Sequence, residues 1–443
     1  MPGKEWDAVK TVEIRRQVPI SEHFDVLVCG GGPAGFIAAI AAARSGAKTA
    51  LVERYGFLGG AATASLVNPI STFKRDSVRV IGGIPWEFVE RLEALGGAVS
   101  DYENGNVPVD VERYKLLAQR MVLEAGVALF LHSYLSDAVC DGKRVKYAVI
   151  QNKSGALAID ADVFVDATGD ADLAALCGFP MQEMPDRDGL QPASLGFRLG
   201  GVKLDQVTGV HPRTPGAKFQ MVSVREIFEA LGDREEIPNF GGPWFCTVLL
   251  DEAGIVNVNI TRAAANAVDA ASVTETECRL REDAFRLFAL LKRYVPAFSD
   301  SYLVQGATQT GFRESRRILG DHVLTEEEYV GALHFEDSVA RGAHPVDMHR
   351  ARDSKQDVRF LSRAGYVPYR SMISSSVDNV IVAGRCISAD RPSFASIRVQ
   401  ATAMALGHAA GTAAALSVRE GTPVHALNTT LLRSVLKEQG ADL

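Results

Sequence analysis

The stretch FDVLVCGGGPAGFIAAIAAARSGAKTALVER, residues 24–54, sets three adjacent glycines between an apolar run and an alanine-rich segment. Phe24 to Cys29 reads as a buried strand, Pro33 to Ser45 as a helix and Thr49 to Glu53 as a second apolar strand, which together make a βαβ unit. Pro33 suits the first helical turn, where an N–H has no partner in any case, and Gly46 suits the position just past the helix end. Gly30, Gly32 and Gly35 fit G-x-G-x-x-G spacing. In that pattern the first glycine permits a tight turn, the second admits a pyrophosphate to the backbone, and the third lets helix pack on strand. Pro33 and Ala34 open a helix whose N-terminus offers N–H donors to phosphate. Glu53 ends the second strand 21 residues after Gly32, where a carboxylate accepts hydrogen bonds from ribose hydroxyls and repels a 2′-phosphate; Arg54 follows it. The unit is built for a dinucleotide, and NAD and FAD share the fingerprint.

The rest of the chain bounds the answer. With 443 residues, 47% hydrophobic and 23% charged, the chain has material for a large core and more than one domain. A net charge of −7, with Lys and Arg dispersed among acids, gives no basic footprint for nucleic acid. The N-terminal segment lacks the apolar core of a signal peptide, and the late stretch ATAMALGHAAGTAAAL is short and glycine-interrupted, so no membrane span is expected. Six cysteines without any C-x-x-C argue against zinc, iron–sulfur ligation and a redox disulfide, and a reducing cytoplasm fits best.

After the βαβ unit, Gly59-Gly60-Ala61 can again bring backbone N–H groups against a ligand, or serve as an ordinary loop. A helix and then strands separated by Asp141-Gly142 and Ser154-Gly155 turns read as an antiparallel meander, whose last strand runs into Asp166-Ala167-Thr168-Gly169-Asp170. From about residue 196 the pattern changes to β-like WFCTVLL and GIVNVNITR, followed by a long helix around TETECRLREDAFRLFALLKRYV. A later buried strand, Asn379 to Ala383, meets Gly384-Arg385. The expectation is an α/β protein: a Rossmann-like dinucleotide domain with a meander (22–195 and 365–443), interrupted by an inserted α+β substrate or cap domain (196–364).

The segments CGGGPAGFIAAIAAARSGAKTALVERYGFLGGAAT, DATGDADLAALCG, ESRRILGDHVLTEEE, HPVDMH, VPYRSMI and VAGRCISAD with SIRVQATAMALGHAAGTAAAL fall in order across nearly the whole chain. In these the sequence resembles the FAD-dependent oxidoreductases of the glutathione-reductase-like superfamily. Within it, the chain is similar to those related to the flavoprotein core of heterodisulfide reductase and, distantly, to fumarate reductase. The resemblance implies non-covalent FAD, with Gly30, Gly32 and Gly35 at the pyrophosphate and Glu53 at the adenosine ribose. It implies that Thr168 and Gly169 line the dinucleotide and that Gly384, Arg385 and the turn at Asp390 pass along its ribityl and phosphate region. A final helix starting near Ser396 would aim its dipole at the pyrimidine edge of the isoalloxazine, with Arg398 adding a cation for the anionic reduced flavin.

Hydride exchange at flavin N5 also needs a proton donor or acceptor. His344 and His349, flanking Asp347, are the first candidates, because imidazole titrates near neutral pH and a carboxylate orients it; a hydrogen-bonded structural turn and a metal site are the competing readings, and no metal is expected. Tyr369 is the next proton candidate. Arg370 beside it is the candidate clamp for a carboxylate, with Arg198 a weaker one. The triplet Arg313, Arg316 and Arg317 reads as a solvated helix face or a bridge between domains. A disulfide reductase fits less well, because it needs paired cysteines after the first helix and this chain has none there, and Gly384-Arg385 departs from the G-D turn usual in aromatic hydroxylases. The expected activity is a dehydrogenase or reductase acting on a small polar or acidic organic substrate, with a monooxygenase or an electron-transfer subunit as alternatives. The electron acceptor and any homo-oligomer are left open.

Overall fold

A computed structural model describes residues 12–101, 105–203, 206, 222–247, 254–351 and 355–443. The βαβ unit forms as β1 (Ile20–Cys29), α1 (Pro33–Arg44) and β2 (Thr49–Val52). β1 lies between β2 and the long strand Gly155–Asp166, parallel to both, and a short strand Ala128–Phe130 extends the sheet beyond β2. The far edge of Gly155–Asp166 has two partners in succession. Its first half closes the antiparallel meander with Arg144–Asn152 and Tyr134–Asp141, while its last residues pair in parallel with Val380–Val382. Asn379 fills the gap at this change of partner: its side chain accepts from Val145 N–H and donates to the carbonyls of Val145 and Asp162. The amide thereby satisfies ladder groups that would otherwise be buried without partners.

The parallel registers place Cys29, Val52, Asp166 and Val382 in one row. Gly30, Glu53, Ala167 and Ala383 therefore leave the sheet side by side, at the carboxyl edge where open α/β sheets bind ligands. α1 is buried along most of its length, because the sheet covers one side and the helix Gln400–Glu420 the other. Gly407 and Gly411 make that second contact. A Cβ on Gly407 would sit 2.1 Å from the Ala34 carbonyl oxygen, and one on Gly411 2.0 Å from that of Ala38. The two helices run parallel in this register, so the seven residues before Gly407 project about 10 Å beyond the start of α1 at 1.5 Å per residue. This helix alone among the described residues is long and apolar enough to cross a membrane, and 89% of that apolar stretch is buried inside the molecule.

A second, antiparallel sheet is ordered Phe240–Thr247, Val256–Thr261, Phe197–Gly200, Tyr302–Gly306. The helix Ala270–Tyr294 packs on it through Ala284, Leu287 and Leu291 against Phe197, Leu199 and Val258, giving a separate apolar core. Residues 248–250, the end of the expected strand WFCTVLL, lie outside the described residues. This core ends near Leu303, and from Ile318 onward the apolar side chains pack into the first core. The return thus comes earlier than Ala364: residues 318–364 read as part of the insertion by sequence order, but Leu324, Tyr329 and Val339 are buried against the main body.

Candidate active site

At the carboxyl edge the three motif glycines have three separate reasons. Gly30 takes a φ of +97°, and a Cβ there would lie 2.5 Å from the Ala167 carbonyl oxygen; on Gly35 it would overlap the Gly30 carbonyl. On Gly32 it would meet only the Gly60 Cα at 3.8 Å, so open space lies above this residue. The fourth glycine, Gly31, makes room for Leu58 and Glu53. Glu53 is buried; its Oε2 accepts from Gly31 N–H at 2.7 Å and its Oε1 from Tyr55 N–H at 2.9 Å. Each oxygen keeps acceptor capacity for a ribose hydroxyl. Burial pushes the Glu53 carboxyl up, against those two backbone bonds. Gly32 caps α1 without a side-chain acceptor on the first turn, and Gly59, Gly60 and Ala61 face it as the start of a one-turn helix. Gly384, at φ +87°, closes the far side at the Ala34 methyl. The turn at Thr168 and Gly169 is held from beneath by the buried Asp166, which accepts from Thr168 N–H, Thr168 Oγ1 and Ala174 N–H. An uncapped helix start, side-chain-free backbone on two loops and a deep carboxylate fit an adenine dinucleotide.

Further along this edge the helix Arg391–Ile397, which leads into Gln400–Glu420, packs on the strand Val346–His349 of the hairpin with Gln356–Arg359. His349 Nδ1 lies 2.9 Å from Arg262 Nη2, and its Nε2 lies 2.9 Å from Asp347 Oδ2. Arginine can only donate, so Nδ1 accepts, the ring proton sits on Nε2, and His349 is a neutral imidazole with both nitrogens engaged. Burial and the charge of Arg313 push it down to about 3, against Asp347. Asp347 also accepts from Gln356 Nε2 at 2.6 Å; burial raises this carboxyl, but His349 and Arg398 outweigh that and hold it well below the usual range. Arg398 Nη2 donates to the Asp347 carbonyl at 3.2 Å and to Gln191 Oε1 at 3.4 Å. His344 differs from His349. Its Nδ1–H donates to the Pro345 carbonyl at 2.8 Å, and its Nε2 has no partner among the described residues. His344, Arg313 and Arg398 each keep some accessible surface, and their charges act on one another around Asp347, so the three side chains form one partly exposed cluster. Burial holds the His344 pKa below its ordinary value, so the ring is neutral at pH 7.

The sequence matches the family described as FAD dependent oxidoreductase over residues 25–436. The chain belongs to this family. Its cofactor is FAD, and the protein is an FAD-dependent oxidoreductase. Among characterised relatives, a 46-residue stretch is 59% identical to dihydrolipoyl dehydrogenase of Trypanosoma brucei brucei, covering 10% of either chain. A 147-residue stretch is 31% identical to glutathione reductase of Schizosaccharomyces pombe, covering 30% of this chain and 32% of the other. This chain therefore spans at most about a third of the length of these relatives. Among solved structures, a geranylgeranyl bacteriochlorophyll reductase-like protein of Thermoplasma acidophilum covers 94% of this chain and 84% of its own at 14% identity, with a TM-score of 0.47.

Several expected residues of the oxidoreductase are placed elsewhere or otherwise engaged. Tyr369 is buried with its hydroxyl donating to the Val424 carbonyl at 3.0 Å, and burial pushes its pKa up, which removes it as a proton donor. Arg370 pairs with Asp337 at 3.0 Å and lines a surface depression of about 490 Å3 with His425 and Thr429, apart from the cluster of His344, Arg313 and Arg398. Asp390 caps the helix Arg391–Ile397: Oδ1 accepts from Ser393 N–H and Oδ2 from Glu326 N–H, so both oxygens serve the fold. Arg385 ties Asp170 to the Phe312 carbonyl instead of standing as a loose cation. Arg54 donates to Gln309 Oε1 at 2.9 Å over the Tyr55 ring. Arg198 bonds Asn257 within the second sheet. The final helix starts at Gln400, not Ser396, because Val399 is extended; the break turns Arg398 toward Asp347. Of the arginine triplet, Arg316 and Arg317 are bridges, to Asp172 and Glu314. Arg262 and Gln191 were missed. Arg262 had a signal: it continues the period-two phase of the buried Val256, Val258 and Ile260 and is itself 1% exposed.

Proposed function

We propose that this FAD-dependent oxidoreductase exchanges a hydride between flavin N5 and a small polar organic molecule, with His344 as the proton-transfer group. FAD, when bound, supplies the hydride acceptor or donor. The observation that carries the reading is the orientation of His344. Its Nδ1–H is fixed on the Pro345 carbonyl, which leaves the Nε2 lone pair of a partly exposed ring without a partner among the described residues. In the oxidative direction the substrate carbon gives up a hydride, its hydroxyl or amino proton passes to Nε2, and a C=O or C=N bond forms. His349 is a positioning residue: its two bonds hold Asp347 and the hairpin in place but leave no nitrogen to carry a proton. The segment from His344 to His349 is thus divided between the two roles, proton transfer and structural turn.

Anaerobic mixing of the holoenzyme with polyols, hydroxy acids and amines tests this directly, because a true donor bleaches the flavin. His344→Ala should retain FAD and slow bleaching roughly 100-fold or more, the usual loss for an acid–base group. The rate in the wild type should be flat above pH 6.5 and fall at lower pH, as protonation of the lowered imidazole removes the base. A wild-type rate in His344→Ala would sink the assignment. Bleaching only by a reduced nicotinamide, followed by oxygen insertion into a second compound, would favour a monooxygenase instead.

A further inference from the structure

We propose that Arg313 is the substrate anchor and that the substrate is an organic carboxylate, a step that rests on the hydride-transfer reading above. Five other arginines along this edge have carboxylate partners: Arg316 pairs with Asp172, Arg317 and Arg391 with Glu314, Arg385 with Asp170, and Arg398 approaches Asp347, while Arg54 and Arg262 are engaged by Gln309 and His349. Arg313 has none among the described residues. Its Nη1 donates to the Pro192 carbonyl at 2.7 Å and to Ser194 Oγ at 2.8 Å, both neutral, while Nε and Nη2 have no partner among the described residues. A desolvated guanidinium held by neutral acceptors is unfavourable unless an anion joins it.

The surroundings reinforce this. Burial and the nearby charges of Arg398 and Arg262 pull the Arg313 pKa down to about 9, against the weaker effect of the Asp347 carboxylate, so the group remains a cation at neutral pH with more positive than negative charge around it. Gln191, one residue from the Pro192 carbonyl, is 2% exposed, and its Nε2 has no hydrogen-bond partner among the described residues. Its Oε1 is taken by Arg398 and His349 N–H, which fixes the amide with its donor side unused. The three remaining guanidinium N–H groups of Arg313, on Nε and Nη2, together with the Ser194 hydroxyl, form a donor set for two carboxylate oxygens, and the Gln191 amide is a further donor once a small side-chain shift uncovers it. The bidentate fork supplies geometry as well as charge.

The holoenzyme is titrated with malonate and glycolate and with their neutral isosteres malonamide and glycolamide. Binding is read from the flavin visible spectrum and from the melting temperature. The carboxylates should bind and the amides should not. Arg313→Met should weaken carboxylate binding roughly 10- to 100-fold, in line with the loss of charge-assisted hydrogen bonds. Arg313→Lys, which keeps the charge and loses the fork, should fall between and covers the case in which the methionine variant does not fold. Amides binding as tightly as carboxylates, carboxylates without effect at tens of millimolar, or undiminished binding in Arg313→Met would each overturn the anchor. Arg313-dependent binding of carboxylates, none of which ever bleaches the flavin, would support the anchor and sink the hydride-transfer reading. A neutral compound that bleaches wild type and Arg313→Met equally would do the reverse.

Discussion

Replacing Gly407 by Ala tests whether the dinucleotide turn depends on the close approach of two helices. The added methyl would lie 2.1 Å from the Ala34 carbonyl oxygen, whereas real Cβ atoms essentially never come within 3.0 Å. The obstruction is backbone, so no rotamer change relieves it; α1 must move by about 1 Å away from the C-terminal helix, and the sheet on its other side resists. Overpacking of this kind costs about 1–3 kcal/mol. A rigid backbone obstacle belongs at the upper end, and the better helix propensity of alanine returns about 1 kcal/mol. The net is a destabilisation of about 2 kcal/mol, or a fall in Tm of roughly 2–3 °C for a chain of 443 residues, because the shift per kcal/mol shrinks with size. Ala34 adjoins both the Gly32 turn and Gly384, so Gly407→Ala should also lose FAD on gel filtration. Gly411→Ala meets Ala38, one turn deeper, and should melt early with FAD better retained. Flavin release and tryptophan fluorescence, followed in one thermal scan, separate the two effects. Equal or higher Tm in both variants would refute the packing argument.

Glu53→Gln sets an amide N–H2 against one of two backbone N–H donors, Gly31 or Tyr55, and should raise the FAD dissociation constant roughly 10- to 100-fold by ultrafiltration; an unchanged constant would separate Glu53 from the cofactor. His408 is buried and bonded to Gln439, and burial pushes it down to about 4. The unfolded chain then binds a proton that the folded one refuses, so stability is lost as pH falls from 6.5 toward 4, by up to about 1.4 kcal/mol per pH unit. His408→Asn should flatten the fall of Tm between pH 7 and 5, and an unaltered slope would count against the assignment. Arg370→Ala strips a half-exposed guanidinium from the buried Asp337, which keeps the backbone N–H of residue 370, and should destabilise by about 1–3 kcal/mol with flavin reduction unaffected, whereas Tyr369→Phe should lose about 1 kcal/mol through the Val424 carbonyl. Slowed flavin reduction in either variant would return these residues to the site.

The dinucleotide half of this protein was determined by local sequence. A glycine that needs φ of +97°, another beneath open space and a third against a carbonyl are demands of single backbone positions, and the spacing within residues 30–53 states them. The meander was equally readable, since Asp141-Gly142 and Ser154-Gly155 mark hairpins that close through two-residue loops, Gly142-Lys143 and Lys153-Ser154. Even Arg262 was legible in principle from strand alternation. The reactive end was not. Gln191, Arg262, Arg313, Asp347 and Arg398 meet from five separate segments, and nothing near Arg313 in sequence distinguishes it from Arg316 and Arg317, which find carboxylates while it does not. The two histidines look alike in HPVDMH, yet one carbonyl leaves His344 an open nitrogen and one arginine closes His349. Sequence specifies which groups are present and the local conformations they tolerate. Which charges remain uncompensated after folding is a property of long-range partners, and only the tertiary structure assigns them.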